Sequence, residues 1–316
     1  MRSEFEAVKN DIKGGIIPAT VTPWTPDHEL ARDDLRQHVE EMYAVDGVVG
    51  VICNAKAGRN KMISRETKQE IIEIHRDLAG DKYVFAGVGG NSTAKQVAQA
   101  REAEEAGADA IMPIPMGIYQ NGDPDEVIGN YEALAEAVDI PLFNFQPPTS
   151  RTPKIPMSAH IEICSMDEVV AFKEASWNPV RFERTVRELD HISDEFTMIT
   201  GNDRFLYHSY LLGAETGLIM YGNIKPDWHV EKIRAVHDRD LEGAMEVRKR
   251  MLPLTNYLFR EPEGKGTARM NAALEMMGIF EHADVIPPLK PLGTEERDEL
   301  RRILKETGVV KPATEA

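Results

Sequence analysis

The chain has 316 residues, with 53 aspartate and glutamate side chains against 37 lysine and arginine side chains, for a formal net charge of −16. Nucleic acids and anionic membranes are themselves negatively charged, so this surface charge disfavours both as partners. The length suits one large α/β barrel or two ordinary domains.

Cysteine usage and hydropathy point to the cytoplasm. Cys53 and Cys164 lie inside apolar segments, with neither disulfide-framework nor metal-ligand spacing. No apolar run is long enough to cross a bilayer, and the opening residues 1–13 lack the apolar middle of a signal peptide. We therefore expect a cytoplasmic protein without a membrane partner.

Short apolar segments rich in β-branched residues recur along the chain and predict eight strands. Each is followed by a polar turn and then by a helical pattern of apolar residues. The strand segments are residues 14–23, 47–55, 83–90, 108–116, 140–147, 168–176, 196–202 and 216–223.

Strict alternation of strand and helix indicates a parallel sheet covered by helices, because parallel strands need crossover connections. Eight units favour closure into a (β/α)8 TIM barrel over residues 14–225, after an N-terminal extension at 1–13. A doubly wound open sheet is the alternative, but no glycine-rich phosphate loop follows the first strand. Residues 226–316 are expected to hold the last barrel helix and extra C-terminal helices, as a cap or a self-association interface.

Lys173 is the leading candidate for chemistry, because it ends the apolar sixth strand. In a parallel barrel, functional groups gather at the carboxyl ends of the strands. Three roles are open to this lysine: a structural ion pair, an electrostatic anchor for a substrate, or a nucleophile that forms an imine. Glu174 is expected to face away from the pocket of Lys173, since neighbouring strand residues point to opposite faces.

The chain resembles the dihydrodipicolinate synthase and N-acetylneuraminate lyase family in several motifs, which follow one another in the order expected for that family. The matching segments are "FKEAS" at 172–176, "GGIIPATVTPW" at 14–24, "AGADAIMPIPM" at 106–116, "ITGND" at 199–203 and "PPLKPL" at 287–292. The resemblance implies a barrel that binds a 2-oxo acid, often pyruvate, as an imine on Lys173. It also implies a homotetramer or homodimer and no cofactor or metal.

The loop after the second strand departs from the family. Relatives have a glycine-threonine-threonine-glycine-glutamate loop that holds the substrate carboxylate, whereas this chain has "CNAKAGRN" at 53–60. Matching Gly58 to the family glycine places Lys56 and Ala57 at the two threonines and Arg59 at the glutamate. Backbone amides near Ala57 and Gly58 can still bind a carboxylate. Lys56 either extends into solvent or faces the pocket. In the pocket it lowers the pKa of Lys173 or binds a second acidic group of the substrate. Arg59 is expected to make an ion pair at the surface or one that fixes the loop.

Strand five departs from the family as well. Relatives carry a proton-shuttling tyrosine there, and its place falls on Phe143, Asn144 or Phe145, depending on the alignment anchor. None of these side chains has an ionisable hydroxyl. Tyr119 and Tyr221 are candidate replacements, with Tyr119 preferred, and bound water is another; either tyrosine can instead simply pack at the rim of the pocket.

Arg151 resembles the arginine that follows strand five in carboxylate-binding relatives, with a rim salt bridge as the alternative role.

The leading hypothesis is a Schiff-base lyase for a small 2-oxo acid, working as an aldolase or a hydro-lyase. The two departures argue against an authentic dihydrodipicolinate synthase. The alternative is a barrel or sensor that binds a 2-oxo acid without catalysis. A metal-dependent lyase is disfavoured, because it would need histidines and carboxylates clustered at the strand ends, whereas the histidines fall mostly in predicted helices and loops.

Overall fold

A computed structural model describes residues 1–116, 123–148 and 155–310. Eight parallel strands form one sheet in the order β1-β8-β7-β6-β5-β4-β3-β2. Two isolated parallel bridges, Ile16 to Val48 and Ala19 to Ile52, bring the two ends of the sheet together. The strands are β1 (Ile16–Pro18), β2 (Gly50–Cys53), β3 (Tyr83–Val88), β4 (Ala110–Pro113), β5 (Leu142–Gln146), β6 (Val169–Glu174), β7 (Thr197–Thr200) and β8 (Thr216–Ile219).

Helices alternate with these strands and cover the outside of the barrel. Several begin at a side-chain cap of the kind that the sequence suggests, such as Ser64, whose hydroxyl accepts from the Thr67 amide at 3.1 Å. The helices of the described residues are α1 (Ser3–Asp11), α2 (Arg32–Tyr43), α3 (Arg65–Ala79), α4 (Thr93–Glu105), α5 (Pro124–Ala135), α6 (Met157–Cys164), α7 (Pro179–Leu189), α8 (Leu206–Leu211), α9 (Pro226–His237), α10 (Leu241–Leu258), α11 (Gly266–Met276) and α12 (Thr294–Glu306).

The prediction of a (β/α)8 barrel with extra C-terminal helices is confirmed. Every observed strand lies within one of the eight segments that the sequence predicts. Strand residues are buried on both faces, as expected for a sheet with side chains inside and helices outside. Within the described ranges, no helix is both long and apolar enough to span a membrane.

The barrel interior is filled by large apolar side chains from alternate strand positions. Phe85 and Phe143 pack with ring centroids 4.9 Å apart, and both are fully buried. Burying a side chain of this size contributes about 1.5–3 kcal/mol. The interior is therefore a packed core and not a channel, so a ligand can bind only near an end of the barrel.

Helix α1 covers the amino-terminal end of the barrel. Its apolar residues Phe5 and Val8, with Ile12 just after the helix, are buried. The Thr197 hydroxyl donates to the Lys9 carbonyl at 2.6 Å, and the Thr216 hydroxyl donates to the Ile12 carbonyl at 2.6 Å. With this end covered, the accessible end is the one where the strands finish.

Candidate active site

A cavity lies at the carboxyl ends of the strands, with an empty volume of about 830 Å³ that includes its opening to solvent. Barrels of this fold bind their ligands at this end. Both the barrel and the C-terminal segment contribute to its wall. The lining residues are Ala19, Ala55, Lys56, Ala57, Arg59, Phe145, Pro148, Lys173, Ala175, Trp177, Gly201, Asp203, Leu218, Met220, Leu258, Phe259, Glu263, Gly266 and Thr267.

Lys173 lies in the wall of this cavity, near the end of β6. Its side chain is 9% exposed, and its Nζ lies 4.8 Å from the centroid of the Phe145 ring. Burial lowers the pKa of Lys173 to about 7; Asp203 opposes this shift and Lys56 adds to it. A substantial fraction of the amine is therefore uncharged at neutral pH, as nucleophilic attack requires.

Glu174 faces away from the cavity, as strand alternation predicts. Its Oε2 accepts hydrogen bonds from the Ser176 amide at 3.2 Å and from Asn202 Nδ2 at 3.0 Å. Burial raises the pKa of Glu174. These bonds connect the end of β6 to the segment after β7, and they place Glu174 outside the site of Lys173.

Asp203 is a second buried ionisable group in the cavity wall, and the sequence reasoning missed it. It follows β7, and its Oδ1 accepts a hydrogen bond from the Tyr221 amide at 2.9 Å. Burial raises the pKa of Asp203, while Lys173 and Lys232 act in the opposite direction. The signal in the sequence was an acidic residue directly after a strand, in "ITGND".

The loop after β2 supplies Lys56, Ala57 and Arg59 to the cavity wall. Lys56 is exposed, yet it is close enough to Lys173 to lower the pKa of Lys173. Gly58 lies behind the wall, where a Cβ would be 3.1 Å from the Thr20 carbonyl oxygen. Close packing against the backbone of the first strand segment thus explains the glycine at this position.

Contacts to the C-terminal segment hold this loop in place. Arg59 Nε donates to the Thr267 hydroxyl at 2.9 Å, and its guanidinium also donates to the Gly264 carbonyl at 2.8 Å. The Thr267 hydroxyl in turn donates to the Ala57 carbonyl at 3.4 Å. Arg59 thus fixes the loop, and α11 forms part of the wall of the site.

Two non-glycine residues at the cavity have left-handed backbone conformations, Arg59 at φ 60° and Trp177 at φ 58°. Such conformations cost about 1–3 kcal/mol each unless the surroundings hold them. The Trp177 amide donates to Asn202 Oδ1 at 2.8 Å, and its indole donates to the Gly201 carbonyl at 3.2 Å. Strain of this kind concentrates at functional sites.

Among the three strand-five candidates, only Phe145 lies in the cavity wall. It pairs with Lys173 in the β5–β6 register. Phe143 packs deeper in the barrel against Phe85. Asn144 points outward, with Oδ1 3.2 Å from Nδ1 of His160. The cavity therefore has a phenyl ring, without a hydroxyl, beside the lysine.

Tyr221 lies outside the cavity wall. Its hydroxyl donates to the Met251 carbonyl at 3.2 Å, its ring packs against His229, and burial raises its pKa. This geometry disagrees with its prediction as a substrate-contacting residue, because the side chain turns into the α9–α10 packing. Tyr119 and Arg151 lie outside the described residues.

The model of the dihydrodipicolinate synthetase family matches residues 13–307. The chain belongs to this family. Proteins of the family that are named 4-hydroxy-tetrahydrodipicolinate synthase include one from Methanococcoides burtonii, 28% identical over 94% of this chain and 99% of its own length. Another, from Methanothermobacter thermautotrophicus, is 30% identical over 84% of this chain and 92% of its own length.

Solved structures of family members show the same fold. Dihydrodipicolinate synthase from Aquifex aeolicus superposes with a TM-score of 0.82 at 25% identity, covering 95% of this chain and 100% of that one. The enzyme from Acinetobacter baumannii, solved in complex with pyruvate, gives 0.84 at 24% identity over 95% and 100%. The chain is accordingly a class I lyase, which works through an imine.

Proposed function

We propose that the protein condenses Lys173 with the carbonyl of a small 2-oxo acid, with pyruvate as the first candidate. The carrying observation is the buried amine in the cavity wall, whose pKa is lowered to about 7. The family member from Acinetobacter baumannii was solved with pyruvate, which supports the choice of ligand. The cavity lies at the carboxyl ends of the strands, where barrels of this fold bind their ligands.

The chemistry follows from the uncharged amine. The nitrogen of Lys173 attacks the carbonyl carbon, and the carbonyl oxygen leaves as water to give an imine. The protonated imine withdraws electrons, so that a bond at the adjacent carbons can break or form. Cleavage or formation of a carbon–carbon bond is aldolase chemistry, and loss of water across the same carbons is hydro-lyase chemistry.

The loop after β2 is proposed to hold the substrate carboxylate. Within the described residues, the amides of Ala57 and Gly58 donate to no protein acceptor, and successive free amides in a loop bind anions. Lys56 and Arg59 add positive charge beside them. We propose that Lys56 contacts an acidic group of the substrate. Arg151 remains a proposed carboxylate ligand.

Phe145 supports a reaction other than 4-hydroxy-tetrahydrodipicolinate synthesis. Relatives have a tyrosine on strand five whose hydroxyl moves protons, whereas the strand-five residue beside Lys173 in this chain is Phe145. Another group must therefore transfer protons. We retain Tyr119 as the proposed proton donor, with bound water as the alternative. The names of the curated relatives make 4-hydroxy-tetrahydrodipicolinate synthase the second candidate function.

Borohydride trapping tests the proposal. The protein is incubated with individual 2-oxo acids and sodium borohydride, and its intact mass is measured. A covalent adduct with the wild-type chain that is lost in Lys173→Met supports imine formation. Ligand binding without an adduct would contradict imine formation at Lys173. In a separate incubation without borohydride, pyruvate is supplied together with the aldehyde substrate that the synthase reaction requires. Mass-spectrometric detection of 4-hydroxy-tetrahydrodipicolinate as a product would then decide for the second candidate.

A homotetramer or homodimer in the cytoplasm, without nucleic-acid or membrane partners, completes the proposal. The negative net charge supports the absence of polyanionic partners. One family member is described as a monomeric variant, so the oligomeric state varies among relatives. Light scattering coupled to size-exclusion chromatography measures it directly: a mass of two or four chains is expected, and a mass of one chain contradicts the proposal.

A further inference from the structure

A second lysine is buried behind the active site. Lys232 lies on α9, with a relative exposure of 5%, and its Nζ donates to the thioether of Met251 at 3.5 Å. A thioether is a weak acceptor, and it cannot replace the hydration that a buried ammonium loses. Lys232 must therefore either lose its proton or be compensated by a charged partner.

Asp203 is the carboxylate in position to do so. It lines the cavity of Lys173, and it also lines a separate small pocket together with Lys232. Burial lowers the pKa of Lys232 to about 7, as it does for Lys173, and the negative charge of Asp203 opposes the shift at both lysines. Both lysines in turn act to lower the pKa of Asp203, which burial raises. Other ionisable groups near Lys232 in the described residues are Arg204, Arg248, Tyr207 and His229.

Charge balance gives this arrangement a consequence for catalysis. Imine formation needs an uncharged Lys173, but an ionised Asp203 with no other cation would favour a proton on that amine. If Lys232 is protonated, Asp203 is neutralised from behind while Lys173 stays neutral. The set of Lys173, Asp203 and Lys232 then has no net charge, which burial favours. The same net charge results when Lys173 carries the proton, so the reactivity of Lys173 depends on which lysine holds it.

We propose that Lys232 is a positioning residue that neutralises Asp203 from behind and thereby keeps Lys173 in its uncharged, nucleophilic form. Lys232 touches neither the cavity nor the substrate, and it acts through Asp203. The role rests on the proposed function, because it matters only if Lys173 is the reacting amine. Its physical content, the protonation of Lys173, can nevertheless be measured without any substrate.

The test is competitive acetylation with trace acetic anhydride between pH 5 and 10, read at Lys173 by peptide mass spectrometry. Lys232→Met removes the charge at similar volume. We expect the pH of half-maximal labelling to rise by about one unit, with labelling at pH 6 falling about tenfold. Lys249→Met, which removes an exposed lysine on α10, is the matched control and leaves the labelling curve in place.

A double variant tests the route through Asp203. In an Asp203→Asn background, Lys232→Met should move the curve by less than half as much as in the wild-type chain. An equal shift in both backgrounds, or no shift in Lys232→Met, overturns the proposal. Lys232→Gln serves if the methionine variant fails to fold, with the same upward shift expected.

Trapping with pyruvate and borohydride, run in parallel, separates the two levels of the argument. If wild-type protein forms no adduct but the labelling curve shifts as expected, the proposed function fails and the electrostatic role of Lys232 stands. If adduct forms and the curve does not shift, the proposed function stands and the role of Lys232 fails.

Discussion

Replacement of Gly201 by alanine tests whether the position of Lys173 controls its reactivity. Gly201 follows β7 and lies against the stem of the lysine. A Cβ at this position would be 2.5 Å from Lys173 Cε and 2.7 Å from Ala175 Cβ. Carbon atoms in van der Waals contact lie about 3.5–4.0 Å apart, so the lysine stem must move by about 1 Å.

The two consequences of this shift differ in size. Overpacking of a core position costs about 1–3 kcal/mol of folding stability. A 1 Å misplacement of a reacting group costs about 10²-fold in rate. We therefore expect Gly201→Ala to remain folded, with a lower Tm and an adduct formation rate about 100-fold below that of the wild-type chain.

The assay is the initial rate of adduct formation with pyruvate and borohydride at pH 8, with Tm measured by circular dichroism. The matched control is Gly129→Ala on α5, where a Cβ meets only a Glu132 carboxylate oxygen at 4.0 Å. Alanine in a helix interior is favoured by about 0.5–1 kcal/mol, so this control should raise Tm and keep the rate. A wild-type rate in Gly201→Ala would refute the geometric argument.

Three further predictions follow from the site. The rate of adduct formation should rise with pH through about 7 and then level off, because burial lowers the pKa of Lys173 to that value; a rate that climbs steadily to pH 10 would contradict it. Lys173→Met should abolish adduct formation and raise the free energy of unfolding by about 1–2 kcal/mol at pH 7. The lysine is protonated in the unfolded chain up to its ordinary pKa of 10.5, so the folded protein binds fewer protons between about 7 and 10.5 and the wild-type chain gains stability over that range. The gain from Lys173→Met in urea unfolding should accordingly shrink towards pH 10.5, and a gain independent of pH would exclude this cause. Thr267→Val removes the hydroxyl that joins Arg59 to the Ala57 carbonyl. The substitution should lower the free energy of unfolding by about 1 kcal/mol and raise the pyruvate concentration needed for half-maximal trapping. An unchanged concentration would show that this link does not shape the site.

The barrel was predictable because each strand is a short apolar run between turn signals. Parallel strands buried on both faces leave that pattern in a sequence. The position of α1 against the barrel was harder to predict, although Phe5, Val8 and Ile12 have the spacing of a buried helical stripe. Local periodicity shows that such a helix has an apolar face, but not which end of the barrel that face covers.

The sequence predicted those parts of the site that a single strand determines. It did not predict the parts in which segments distant along the chain come together. Strand alternation correctly separates Lys173 from Glu174. The choice of Phe145 over Phe143 needs the β5–β6 register, in which Phe145 pairs with Lys173. Lys232 is buried on α9, as Val236 is one turn further on, yet a lone lysine among apolar residues does not reveal its partner.

The most direct measurement is peptide mapping of the protein after incubation with pyruvate and borohydride. We predict a single modified peptide that contains Lys173, heavier by one pyruvic acid less one oxygen atom, with the modified site assigned to that lysine by fragmentation. Modification at another lysine, or an unmodified chain under conditions in which a borohydride-trapped family member is fully labelled, would contradict the imine mechanism.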